Sequence, residues 1–275
     1  MLARFVLAAA IVLLTGCQDM FVYFPTTDDE SSLVAQARQQ GLEPWPHQGE
    51  GRMGWRAPPA QAETDRTGGQ ETARLLVFHG NAGHSLHRQH FVTGFQSTDD
   101  SVAWEVFLFE YPGYGSRPGN PSEETIMQAA AEALELLLAQ DDSRPVYLLG
   151  ESLGSGVASR LAAEYPDAVP GILLITPFTN LEDVGAARFP RVLVTTILRD
   201  RYDSEKALSS YRGRVAFLIA GRDEVVTTEL GQSLYEGYPG PKERWVQETA
   251  GHNTLNYSPH SPWWQEVSDF LKGTP

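Results

Sequence analysis

The feature that most constrains this chain begins near residue 74, where short apolar runs start to alternate with longer helix-like stretches. The runs are Arg74–Phe78, Ala103–Phe109, Pro145–Leu149, Gly171–Ile175, Val215–Ala220 and Arg244–Gln247. Most place apolar residues at successive positions rather than at every second one, as strands covered on both faces of a parallel sheet do. Among them lie helical candidates at Glu123–Gln140, Leu153–Glu164, Thr227–Tyr235 and Trp263–Leu271, the first opened by Pro121-Ser122. The alternation predicts an α/β fold with a mostly parallel central sheet and helices on both faces. In such sheets ligands sit beyond the carboxyl ends of the strands, so the chemistry is expected there.

The run Pro145–Leu149 leads into Gly150-Glu151-Ser152-Leu153-Gly154 and then into a helix candidate. A G-x-S-x-G sequence between a strand and a helix is a nucleophile elbow, a turn too tight for a Cβ at its glycines that exposes the serine hydroxyl. The competing dinucleotide-loop reading of Gly154-Ser155-Gly156 lacks the third glycine and starts inside the helix. A serine needs a base, and the base needs an orienting carboxylate, in the chain order Ser, acid, His. Past Ser152 only His252 and His260 remain, and His252 follows the last strand candidate while His260 sits in a proline-flanked loop. Asp223 directly follows the run Val215–Ala220, whereas Glu224 is one residue off and Asp200 and Asp203 have no strand before them. Ser152, Asp223 and His252 are therefore the candidate triad. Backbone N–H groups at Leu153 and Asn81, the latter in His79-Gly80-Asn81-Ala82-Gly83 after the first run, are the candidate oxyanion donors.

The set Phe78–Gly83, Glu110-Tyr-Pro-Gly-Tyr-Gly115, Gly150–Gly154, Thr176–Asp183, Arg201–Ser204, Gly221–Asp223 and Gly251–Asn253 resembles the α/β-hydrolase superfamily over residues 74–272. Within it the set resembles a membrane-attached serine-hydrolase branch that includes lysophospholipid lipases and protein depalmitoylases. Tyr23-Phe24-Pro25 resembles the entry segment of that branch. The resemblance implies an α/β-hydrolase fold and a serine hydrolase without a cofactor. One departure is that this branch usually carries a membrane-anchoring helix, and this chain starts differently.

That start is Met1–Arg4 with one positive charge, an apolar run Phe5–Leu14, and Leu14-Thr15-Gly16-Cys17. Ten residues rise about 15 Å as a helix, half the thickness of a bilayer core. The proportions are those of a secretory signal, and Leu-Thr-Gly-Cys resembles a bacterial lipoprotein signal with Cys17 as the lipidated residue. The expected organisation is a signal peptide over 1–16, an anchor and tether over 17–50, and a hydrolase domain over 51–275. Arg52–Arg56 is a strand candidate and Gln61–Gln70 the most linker-like stretch. With Gln18 after the cysteine, the expected site is the cell envelope, on the periplasmic face of the outer membrane, with the lipid at Cys17 as the membrane contact.

Composition removes other classes. A net charge of −14 with no basic stripe argues against nucleic acid as a partner, and one cysteine excludes an intrachain disulfide or a Cys-based zinc site. His84, His87 and His90 invite a metal reading, but on a helix the outer two diverge by about 120°, and no metal is expected. The 39 residues from Thr176 to Arg214, with the apolar stretch Val192–Leu198, fit a cap over a pocket and equally a buried crossover helix. Glu151 either touches the site or only the domain interior. The expected reaction is cleavage of a small acyl ester or thioester, lipid esters included, through an acyl-enzyme. The alternatives are a non-catalytic envelope binding or scaffold protein on the same fold, and a peptidase or amidase.

Overall fold

Apolar residues at every position of a strand must be covered from both sides, and here they are. In the computed structural model, which describes residues 22–46, 52–59, 71–98, 102–141 and 143–273, ten strands form. They are β1 (Phe24–Pro25), β2 (Glu43–Pro46), β3 (Arg52–Ala57), β4 (Glu71–Phe78), β5 (Ala82–Gly83), β6 (Val102–Phe109), β7 (Val146–Glu151), β8 (Gly171–Ile175), β9 (Arg214–Ala220) and β10 (Lys242–Gln247). Eight build one sheet in the order β10-β9-β8-β7-β4-β6-β3-β2. From β10 to β6 all neighbours run parallel, and β3 and β2 close the far edge antiparallel. Side chains alternate between two cores: Leu76, Phe78, Leu148, Leu174 and Phe217 enter one, Leu75, Val77, Leu149, Leu173 and Leu218 the other. This is an α/β-hydrolase fold.

Helices cover both faces. They are α1 (Glu30–Gln39), α2 (Gln89–Gln96), α3 (Glu123–Gln140), α4 (Leu153–Glu164), α5 (Leu181–Ala186), α6 (Arg191–Ile197), α7 (Ser204–Leu208), α8 (Thr228–Gly237) and α9 (Trp263–Lys272). The start of α3 is set by a reciprocal cap, in which Ser122 Oγ accepts the Thr125 N–H at 3.1 Å and Thr125 Oγ1 accepts the Ser122 N–H at 3.0 Å. The segment 176–214 holds α5, α6 and α7, three short helices rather than one crossover helix, and forms a small cap.

The expected tether over 17–50 is corrected for residues 22–46, and the domain therefore begins before residue 51. Tyr23 is buried, and its hydroxyl donates to Asp200 Oδ2 at 2.5 Å. Helix α1, capped by Asp29 on the Ser32 N–H, buries Leu33 and Ala37 against the sheet. Strand β2 adds the outermost strand and buries Trp45. Each element gains apolar burial that a solvated tether would forgo. Residues 1–16, Cys17 and 60–70 lie outside the described residues.

Candidate active site

Four loops at the carboxyl ends of β4, β7, β9 and β10 bring the candidate residues to one place. Ser152 follows β7 with φ 50° and ψ −115°, a backbone conformation rare for residues other than glycine. The turn is enforced on both sides. A Cβ on Gly150 would stand 2.2 Å from Gly154 O, and one on Gly154 would stand 2.1 Å from Phe78 O. The Ser152 N–H is held by Ile175 O at 2.8 Å, which fixes the turn to the end of β8.

Asp223, three residues past β9, is buried and held by its own loop: Oδ1 accepts the N–H groups of Val225 and Val226 at 2.8 and 2.9 Å. Its other oxygen, Oδ2, lies 2.7 Å from His252 Nδ1. His252, five residues past β10, puts Nε2 3.1 Å from Ser152 Oγ. A proton on Nδ1, facing the carboxylate, leaves Nε2 as an acceptor for the hydroxyl. The structure thus joins Ser152, His252 and Asp223 in one chain of contacts. The alternatives go elsewhere: His260 and Glu224 are exposed, Asp200 binds Tyr23, and Asp203 caps α7 on the Lys206 N–H.

Ser152, Leu153 and Asn81 line one cavity of about 360 Å³. As the first residue of α4, Leu153 carries one of the N–H groups that a helix leaves without an internal acceptor. The Asn81 carbonyl accepts from the Phe24 N–H at 2.9 Å and the Tyr114 hydroxyl at 2.7 Å, and the Asn81 side chain donates to Val22 O at 3.1 Å. The other walls are apolar, with Phe178 below and Val184, Phe189 and Leu193 from the cap. Asn81 and Ser152 are the polar members of the lining.

One pair in this region was beyond sequence reasoning. Glu151, next to Ser152, is not among the residues lining the cavity, and its Oε2 accepts from Arg88 Nε at 2.5 Å and from the Gly80 N–H at 3.1 Å. Burial pushes this carboxyl up, but the Arg88 guanidinium and the hydrogen bonds outweigh it and hold it below the usual carboxylate range. Glu110 is also buried: Ser85 donates both its N–H and its hydroxyl to it, and His79 Nε2 lies 3.4 Å away. The three histidines of the metal reading pack against rings: His84 meets His87 in a tilted contact with centroids 3.8 Å apart, and His90 stacks on Tyr257 at 4.4 Å.

Residues 73–209 match a family model described as the alpha/beta hydrolase fold. An uncharacterised protein of Mycobacterium tuberculosis is 31% identical over 253 residues, covering 90% of this chain and 85% of that protein. The lysophosphatidylserine lipase ABHD12 of Danio rerio is 28% identical over 228 residues, covering 72% of this chain and 58% of the lipase. Among solved structures, an esterase of Pyrococcus furiosus superposes with a TM-score of 0.65 at 17% identity, covering 92% of this chain and 98% of the esterase.

Proposed function

Because this chain belongs to the α/β-hydrolase family, we propose that it is a serine hydrolase that cleaves carboxylic ester or thioester bonds through an acyl-enzyme on Ser152. The observation that carries the reading is the pair of contacts at His252, 3.1 Å to Ser152 Oγ and 2.7 Å to Asp223 Oδ2. They supply the base and its orienting acid for a hydroxyl that is a weak nucleophile alone.

In this reading His252 Nε2 takes the Ser152 proton as Oγ bonds to the carbonyl carbon. The carbonyl π pair moves onto oxygen, where the N–H groups of Asn81 and Leu153 meet the charge. Asp223 holds the imidazolium that forms. Collapse breaks the bond to the alcohol or thiol, which leaves with the proton from His252. Water then repeats the sequence and releases the acid. No step calls on a cofactor. The apolar walls favour an acyl chain, and the lipase among the relatives supports a lipid ester as substrate.

The same proposal puts the chain in the cell envelope, anchored through lipid on Cys17 at the periplasmic face of the outer membrane. It rests on the single basic residue, the ten-residue apolar run and Leu-Thr-Gly-Cys. Replacing Ser152 by Ala tests the catalytic reading. Hydrolysis of short and medium nitrophenyl esters should fall by about 10⁴-fold or more with the circular dichroism unchanged, and undiminished turnover would refute it.

A further inference from the structure

Among the described residues, the large apolar side chains that stand exposed are Phe24 (50%), Phe189 (59%), Val192 (76%), Leu193 (45%) and Val225 (39%). Three of them line one cavity, and the other two stand one or two positions from residues that do. Phe189, Leu193 and Val225 line it. Val192 is the neighbour of Leu193 on α6. Phe24 is two residues from the lining residue Val22, and its N–H donates to the carbonyl of Asn81, which also lines the cavity. Single exposed apolar residues scattered over a surface mean little, but their gathering around one mouth marks an interaction surface.

Two features say what covers it. Val22 lines the cavity, and Cys17, the residue proposed above to carry lipid, stands five positions before it in the chain. Five extended residues reach about 17 Å, so a lipid on Cys17 would hold the bilayer within that distance of the mouth. Charge is the second feature. Between residues 186 and 202 there are four arginines and one aspartate, in a chain whose net charge is −14. Arg191 and Arg201 share the carboxylate of Glu182, so the rim is not the strongly negative surface that would be repelled by anionic headgroups.

Resting on the lipid anchor at Cys17 proposed above, we propose that this rim is a membrane-docking face: Phe24, Phe189, Val192, Leu193 and Val225 enter the headgroup region of the bilayer and seat the cavity mouth on the lipid surface. Docking on a surface of this kind draws on buried apolar area together with attraction to anionic lipid. The inference stands apart from the hydrolytic reading, because the rim would dock whether or not Ser152 turns over. Its consequence is that a substrate residing in the bilayer enters the cavity without crossing water.

The test uses the full chain in vesicles of phosphatidylcholine and phosphatidylglycerol whose acyl chains carry bromine as a quencher. Tryptophan is introduced as Val192→Trp on the rim and, in a second protein, as Glu243→Trp near the start of β10, at the opposite end of the sheet. The emission added at 192 should be mostly quenched and the emission added at 243 should survive. Equal quenching at both positions, or none at 192, overturns the proposal, as does shielding of 192 that appears without lipid and grows with protein concentration, which would assign the face to a second copy of the chain. A second pair of measurements uses Phe24→Glu combined with Val192→Glu, neither of which lines the cavity. Turnover of a water-soluble nitrophenyl ester should be retained, while turnover of the same acyl group on a vesicle-embedded ester falls by about tenfold or more. An equal loss on both esters would overturn the docking role. Retained soluble-ester turnover without rim quenching would reject docking while leaving the hydrolase reading intact.

Discussion

The carboxylate of Glu151 accepts the backbone N–H of Gly80 at 3.1 Å, tying the strand that ends just before Ser152 to the loop that carries Asn81. Arg88, 2.5 Å from the same oxygen, fixes that carboxylate in its charged form. In the reaction proposed for Ser152, Glu151 would act as a positioning residue, tying the loop of Asn81 to the strand that ends before Ser152 without touching substrate. Glu151→Gln should lower kcat on a soluble nitrophenyl ester by about tenfold, since small misplacements of a reacting group are costly, and leave KM nearly unchanged. Steady-state kinetics read the split, and a rise in KM at constant kcat would contradict the role. The pH sign follows from the lowered carboxyl: its stabilisation is present above the unfolded value of about 4.3 and lost as pH falls through the folded value.

The elbow glycines make a different prediction. With Phe78 O only 2.1 Å from the position of a Cβ on Gly154, and with backbone rather than a flexible side chain as the obstacle, one methyl group has nowhere to go. Gly154→Ala should cost about 3 kcal/mol of stability, the upper end for overpacking, as read from urea unfolding. A loss too small to measure would mean that the turn is looser than its geometry.

Acid sensitivity should trace in part to His90. Its ring packs on Tyr257 and Phe91, and Nε2 is buried without a partner. Burial lowers its pKa to about 4. The unfolded chain, with a histidine near 6.5, binds the proton first, so stability is lost as pH falls from about 6.5 towards the folded value. In thermal melts across that window, His90→Phe should lose less stability than the wild type. Parallel curves would remove His90 from the account.

Cavity size offers a test of substrate. Val184 lines the apolar part of the cavity from α5. Val184→Trp should fill much of that space and lower kcat/KM for long-chain esters by about tenfold or more, while acetate esters are spared, because each buried methylene is worth about 0.8 kcal/mol. A panel of nitrophenyl esters of increasing acyl length measures the difference. Equal losses at all lengths would place the acyl chain elsewhere.

How much of this was legible in the sequence depended on the kind of signal. Helices α3 and α4 occupy the expected ranges Glu123–Gln140 and Leu153–Glu164, because a serine cap and an elbow punctuate their starts. The six short apolar-rich runs all became sheet strands, since each is bounded by turn residues and the helix-like stretches between them leave a parallel sheet as their cover. Strand β2 escaped notice because Pro44 and Pro46 read as loop, and only its place at the sheet edge lets it tolerate them. Helix α1 shows the core just two buried residues, Leu33 and Ala37, too narrow a stripe to stand out as a pattern. For the site, the order of Ser152, Asp223 and His252 and the strands before them are in the sequence, and the structure brings the three side chains into contact. The Glu151–Arg88–Gly80 contacts were not, because a side chain that serves the interior of a fold has no spacing rule. Tyr23 with Asp200 is a contact across 177 positions of the chain, and local sequence carries no trace of it.

The central claim is that Ser152 Oγ becomes covalently acylated. The most direct measurement treats the full chain with a fluorophosphonate, then digests it and locates the adduct by mass spectrometry. A single adduct should appear on the peptide containing Ser152, absent in Ser152→Ala and formed far more slowly in His252→Ala. An adduct on another residue, or unmodified Ser152 in a preparation that hydrolyses esters, would contradict it.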